Sequence, residues 1–145
     1  TEVKKLNILF LLTPKANVAC LDDSLTVRQA IERFKAHGYT AMPMISKEDG
    51  QYLGTISEGD LLWNIVDNSY PDIKELENYK AVKLLKKHFM PAVKADAKMD
   101  DVLRMVLSQN FVPVVDDRNI FMGIVTRRSI INYYYQKEKE SEYNK

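Results

Sequence analysis

The sequence predicts an α+β fold built from one unit used twice. Three observations carry that expectation. The stretches Tyr39 to Ile65 and Phe111 to Ile131 align, with Pro43 on Pro113, Gly54 on Gly123 and Ser57 on Thr126. Each follows a helical pattern: Val27, Ala30, Ile31 and Phe34 in the first copy, Met99, Val102, Leu103 and Val106 in the second. Each helix follows a short apolar segment, Val18 to Leu21 and Pro91 to Val93. The unit is therefore strand–helix–strand–strand–helix. Copies of roughly 55 residues would be marginal alone, so they are expected to pack together. Two copies make a paired module rather than a solenoid.

The elements follow in order. Thr1 to Leu12 reads as a first helix or strand packing on the module, and Pro14 breaks it. Val18 to Leu21 is a short strand. Asp22, Asp23, Ser24 and Thr26 offer caps for a helix that runs to His37 and stops at Gly38. Tyr39 to Ile45 and Tyr52 to Ile56 are hairpin strands around the turn Lys47-Glu48-Asp49-Gly50. Ser57 opens a helix to Val66. Asn68 to Asp72 is a loop, and Ile73 to Lys87 holds a short helix. In the second copy Val112, Val114 and Val115 form a strand, Asp116 to Asn119 a turn, and Ile120 to Val125 the return strand. Thr126 then caps a helix. Tyr133 to Tyr135 are expected to cover a helix end or a subunit contact, and the charged run Lys137 to Lys145 to fray.

Composition excludes several classes. The chain has 145 residues, 46% of them hydrophobic, as in ordinary globular proteins. A net charge of +1 gives no bulk electrostatic case for nucleic acid or membrane. The apolar run Leu6 to Leu12 ends at Pro14, far short of a span, and no signal cleavage site follows Lys4 and Lys5. The single Cys20 cannot pair internally and reads as a buried, inert thiol of a reducing, cytoplasmic compartment. His37 and His88 lack partners at metal-ligand spacing. No nucleophile–base pair, phosphate-binding loop or helix-turn-helix pattern is present, so neither an enzyme nor a DNA-binding protein is expected.

The chemistry concentrates at the two starts of the helices that follow the hairpins. Arg127 and Arg128 fall in the first turn after Thr126, the wrong end of the helix dipole for cations. Free amides, a hydroxyl and two guanidiniums there would make an anion site. The plainer alternative is two solvated arginines on an exposed turn. Ser57-x-x-Asp60 fits a capping box, so these residues could simply close the helix end. Lys86-Lys87-His88 is a basic cluster, either solvated or in contact with a phosphate.

The motifs GTISEGDLL (Gly54 to Leu62) and GIVTRRSII (Gly123 to Ile131), with TAMPMIS and FVPVVDD before them, resemble tandem CBS-domain proteins, the Bateman module. The resemblance covers about Leu12 to Tyr133, in two repeats at 12–67 and 88–135, with a linker at 68–87 and terminal extensions at 1–11 and 136–145. It implies a pseudo-twofold pair of repeats, each sheet packed on helices, and a flat homodimer. It also implies a non-enzymatic sensor of an adenine nucleotide that regulates an unidentified protein target. No cofactor is required, and the nucleotide is the regulatory ligand.

By that resemblance Asp60 accepts from ribose hydroxyls, and Ser57 contacts ribose or phosphate. Ser129 replaces the family's second Asp, so the Thr126 start suits phosphate better than ribose. One cleft would combine Val18, Ala19, Tyr39, Thr40, Ala41 and Pro43 with Thr126, Arg127 and Arg128, with Lys15 at its edge and both arginines exposed. The other would combine Pro91, Ala92, Val112 and Pro113 with Ser57 and Asp60. LLTPKANVA, GYTAMP and GIVTRR are similar to stand-alone CBS-pair proteins of Gram-positive bacteria, some of which bind cyclic di-AMP. That ligand and AMP, ADP or ATP all fit. The competing expectation is a scaffold or protein-interaction module with degenerate nucleotide sites.

Overall fold

A computed structural model describes residues 6–68, 72–86 and 90–144. In chain order the elements are β1 (Thr13–Pro14), β2 (Leu21–Asp22), α1 (Val27–His37), β3 (Ala41–Ile45), β4 (Tyr52–Ser57), α2 (Glu58–Asn68), β5 (Val93–Lys94), α3 (Met99–Met105), β6 (Phe111–Val115), β7 (Phe121–Thr126) and α4 (Arg127–Tyr143). The fold is α+β, with four α-helices and two small sheets among the described residues. Lys4, Lys5, the loop residues Ser69, Tyr70 and Pro71, and Lys87 and His88 of the basic cluster lie outside the described residues.

The chain divides into two compact units. The first comprises Ala19–Pro91 and Arg118–Phe121, and the second Thr1–Val18, Ala92–Asp117 and Met122–Lys145.

In the first unit the strand order is β2-β3-β4. β2 runs parallel to β3 with Leu21 opposite Met44, and β3 runs antiparallel to β4 with Ala41 opposite Ser57. Of the four candidate caps, Thr26 opens α1: its hydroxyl accepts from Gln29 N, and the Gln29 side chain accepts from Thr26 N. That reciprocal pair satisfies two of the amides a helix start leaves over. Gly38 closes α1 at φ 68°, a left-handed position that costs glycine nothing. The apolar stripe of α1 buries Val27, Ala30 and Phe34 against Leu21, Met42, Met44, Ile56 and Leu61.

The expected short helix in the linker is replaced by two 3-10 helices, Ile73–Asn78 and Ala81–Leu84. They are core pieces: Leu76 and Ala81 are buried with α1, and backbone bonds join Val27 N to Tyr79 O and Ala81 N to Leu25 O. Arg118–Phe121, the tip of the second hairpin, also belongs to this unit: Tyr52 N donates to Asn119 O, and Phe121 N to Gly50 O.

In the second unit the strand order is β1-β7-β6-β5. The expected strand at Val18 to Leu21 is corrected. Thr13–Pro14 pairs antiparallel with β7, residues Lys15–Asn17 make a 3-10 turn, and β2 begins only at Leu21. Proline lacks the donor an inner strand needs, and β1 is an edge strand, where Pro14 is tolerated. The N-terminal segment is a 3-10 helix, Ile8–Leu11, and Ile8 is fully buried with Val102, Val106, Val112, Val114, Val125 and Ile130.

Two further corrections concern Cys20 and the C-terminal tail. Cys20 is half-buried rather than buried. The run from Lys137 does not fray at once, because α4 continues to Tyr143. Lys137 Nζ lies over the Tyr133 ring and Lys139 Nζ over the Tyr135 ring, one turn back, which ties charged positions to aromatic ones.

Candidate functional site

β4 delivers Ser57 to the start of α2 in the first unit. Ser57 N donates to Asp60 Oδ2 at 2.9 Å, and Asp60 N donates to Ser57 Oγ at 3.2 Å. The capping box is therefore formed. It uses only one carboxylate oxygen. Asp60 Oδ1 is buried and has no hydrogen-bond partner among the described residues, although Lys86 Nζ lies 3.1 Å away as an ion pair. The Asp60 side chain is 2% exposed and that of Lys86 66%. One turn along α2, Asn64 Oδ1 is also buried without a hydrogen-bond partner. Two buried acceptors on one helix face thus lack a hydrogen bond, and among the described residues only Asp60 Oδ1 has a compensating charge, the Lys86 ammonium.

The other expected residues of this unit surround the hairpin. Thr40 is exposed, and its carbonyl accepts from Glu58 N at 2.9 Å. Ala41 stands opposite Ser57, and buried Pro43 opposite Thr55. Tyr39 is exposed and stacks on His37 with ring centroids 5.6 Å apart. Ala19 is half-buried.

In the second unit β7 delivers Thr126 to the start of α4. Thr126 Oγ1 accepts from Ser129 N at 3.0 Å, so it caps the helix as expected. Ser129 does not reciprocate as Asp60 does. Its Oγ donates to Thr126 O at 2.9 Å. Arg127 N donates to Asn110 O, the counterpart of the Glu58–Thr40 bond.

The twin arginines separate. Arg127 is half-buried, against the expectation that both are exposed, and its Nε donates to Val106 O at 2.7 Å. Val106 closes α3, so this guanidinium sits at a helix C-terminus, the favourable end for a cation. The rule that Arg127 breaks in α4 is thereby offset in α3. Sequence reasoning missed this contact because it joins positions 21 apart with no shared motif. Arg128 is exposed and has no hydrogen bond or ion pair among the described residues. Lys15 is exposed in the turn after β1, at the Met122 end of β7, since Pro14 stands opposite Gly123. Val18 and Ala92 are half-buried, and Val112 and Pro113 are buried.

Among the described residues no group of three His, Cys, Asp or Glu side chains could hold a metal ion. No described helix is long and apolar enough to cross a membrane.

A sequence model of the CBS domain matches residues 11–67 and 81–136. The chain belongs to the CBS-domain family, with two copies of the domain. Among solved structures, CbpB in complex with c-di-AMP superposes with a TM-score of 0.88 at 22% identity, covering 97% of this chain and 91% of that one. A CBS domain protein from Streptococcus pneumoniae TIGR4 gives a TM-score of 0.80 at 28% identity, over 88% and 86% of the two chains. The chloroplastic CBS domain-containing protein CBSX2 of Arabidopsis thaliana is 25% identical over 154 residues, 90% of this chain. A structure of CBSX2 in complex with AMP superposes with a TM-score of 0.72 at 23% identity, over 91% of this chain and 98% of that one. The chain spans 38% and 64% of the lengths of the two curated relatives it matches, the shorter span being on a protein of Methanocaldococcus jannaschii.

Proposed function

We propose that this chain is a non-enzymatic regulatory module that binds an adenine nucleotide, AMP, ADP, ATP or cyclic di-AMP, and signals to a protein target. The observation that carries the reading is Asp60 Oδ1, a buried carboxylate oxygen held in place by its own capping box and lacking a hydrogen-bond donor. A ribose hydroxyl is the donor such an acceptor fits. Ser57 would assist at ribose or phosphate. At a second, separate site Thr126, Arg128 and the remaining nitrogens of Arg127 would hold phosphate, with Lys15 at the edge. Apolar and backbone contacts for the base would come from Val18, Ala19, Tyr39, Thr40, Ala41 and Pro43 at the Thr126 site, and from Pro91, Ala92, Val112 and Pro113 at the Asp60 site. That CbpB and CBSX2 have been solved with c-di-AMP and AMP supports the ligand class.

Calorimetric titration with AMP, ATP and cyclic di-AMP in parallel tests this. Micromolar or tighter binding of one is expected. No heat with any of the three removes the reading and favours a protein-interaction module with degenerate nucleotide sites. One observation already leans that way for the Thr126 start: Ser129 turns its hydroxyl back onto Thr126 O, and no carboxylate replaces it.

The reading extends to a cytoplasmic homodimer. In support, α2 leaves Leu62 and Val66 exposed, and α4 leaves Ile131 and Tyr135 exposed at the equivalent repeat positions. Unpartnered apolar positions recurring on both helices suit an interface between copies. A monomer in sedimentation at micromolar concentration would remove it.

A further inference from the structure

We propose that Lys86 selects for phosphate at the Asp60 site, so that a nucleotide is preferred to its nucleoside. The inference rests on the reading that Asp60 accepts a ribose hydroxyl. Glu58 and Asp60 both fall in the first turn of α2, and that turn holds no base. Two carboxylates there would repel a phosphate carried by a ribose bound to Asp60, whatever the helix amides contribute. A cation must be supplied from elsewhere.

Lys86 supplies it. The segment before it is fixed: Leu84 and Leu85 pack on the core of the first unit, and a Cβ on Gly54 would stand 2.9 Å from Leu85 Cδ2. Its backbone is therefore anchored beside β4, the strand that delivers Ser57. Its side chain is largely exposed, yet its ammonium lies 3.1 Å from Asp60 Oδ1.

The contact is an ion pair without hydrogen-bond alignment, since Oδ1 has no hydrogen-bond partner. A donor arriving at Oδ1 can therefore displace the ammonium at little cost, while the anchored stem keeps the charge nearby. The ribose hydroxyl takes the carboxylate oxygen, and the released ammonium pairs with the phosphate. Lysine suits this because it is a point charge on a flexible stem and carries three donors.

The test is calorimetric titration of adenosine and AMP into the intact chain, its Lys86→Met variant and its Lys86→Arg variant. Lys86 is exposed, so both variants should fold, which circular dichroism checks. The wild type should prefer AMP. Lys86→Met should weaken AMP about tenfold or more, the size of a lost charge-assisted hydrogen bond, and leave adenosine within about threefold. Lys86→Arg should keep the preference. An unchanged ratio of AMP to adenosine affinity in Lys86→Met overturns the proposal. Both ligands tightening would make Lys86 a plug on Asp60, and both weakening a purely structural group. A wild type that binds neither ligand overturns the Lys86 role, and the nucleotide reading falls with it only if ATP and cyclic di-AMP also give no heat.

Discussion

Arg127 and Arg128 are neighbours in sequence with different work to do. Arg127 holds the carbonyl that ends α3, while Arg128 is exposed with no described partner. Arg127→Ala should lower stability by about 1–3 kcal/mol, because a charged donor leaves a backbone acceptor unpaired. Arg128→Ala should stay within about 0.5 kcal/mol of the wild type in the same urea titration. Its effect should appear as weaker nucleotide binding, and unchanged affinity would remove its phosphate role. The asymmetry was illegible in the sequence, where the two residues read alike. Ser57 and Asp60 were legible, because a capping box is a local pattern and both bonds form within one turn. What the pattern could not tell is that Asp60 would be buried with one oxygen left over.

At the scale of elements, the local signals transferred well. α1 runs Val27–His37 between a threonine cap and a left-handed glycine, as its periodicity and end signals require. Both hairpins form around Pro43 and Pro113. The tip contacts were not legible, since they join a turn to a strand start 67 positions away: Asn119 Nδ2 donates to Tyr52 O at 3.1 Å.

Tyr52 anchors that region. Its hydroxyl donates to Met90 O at 2.7 Å and lies 2.6 Å from Thr55 Oγ1. Burial pushes its pKa up to about 12, against the opposing pull of the Thr55 hydrogen bond. The unfolded chain ionises this phenol near its ordinary value of 10.0, and the folded one holds the proton longer. Above that value the unfolded state binds fewer protons, so stability falls as pH rises. The contribution, up to about 2–3 kcal/mol, is therefore complete below pH 10 and lost as pH climbs through about 12. Urea titrations at pH 9 and pH 11.5 should show the wild type losing more stability than Tyr52→Phe. Equal losses would place the alkaline sensitivity elsewhere.

At the scale of the whole chain, the duplication was plain, but the exchange of segments was not. Residues 6–18 run into the start of the first repeat in sequence, yet they fold with the second unit. Periodicity cannot reveal this, because a two-residue edge strand and one 3-10 turn carry too short a pattern. The packing is nevertheless specific. Ile8 is fully buried in the second unit's core, and Thr13 and Pro14 lie against Ile124 and Gly123. A Cβ on Gly123 would stand 2.1 Å from Thr13 O, at a φ of 152° that side chains rarely adopt, so the glycine is what lets the segment approach.

A fragment of residues 92–145 should therefore fold poorly. It retains its sheet neighbours β5, β6 and β7 but lacks β1, and the loss of Ile8 alone should cost about 2–5 kcal/mol by analogy with core truncations. That is a large part of the stability of a small unit. Adding a peptide of residues 1–18 in trans should raise the fragment's helical circular dichroism and protect the amides of β7 from hydrogen exchange. A peptide carrying Ile8→Ala should do so only at much higher concentration. If the fragment folds equally well without the peptide, the N-terminal segment is an accessory of the second unit and not part of its core.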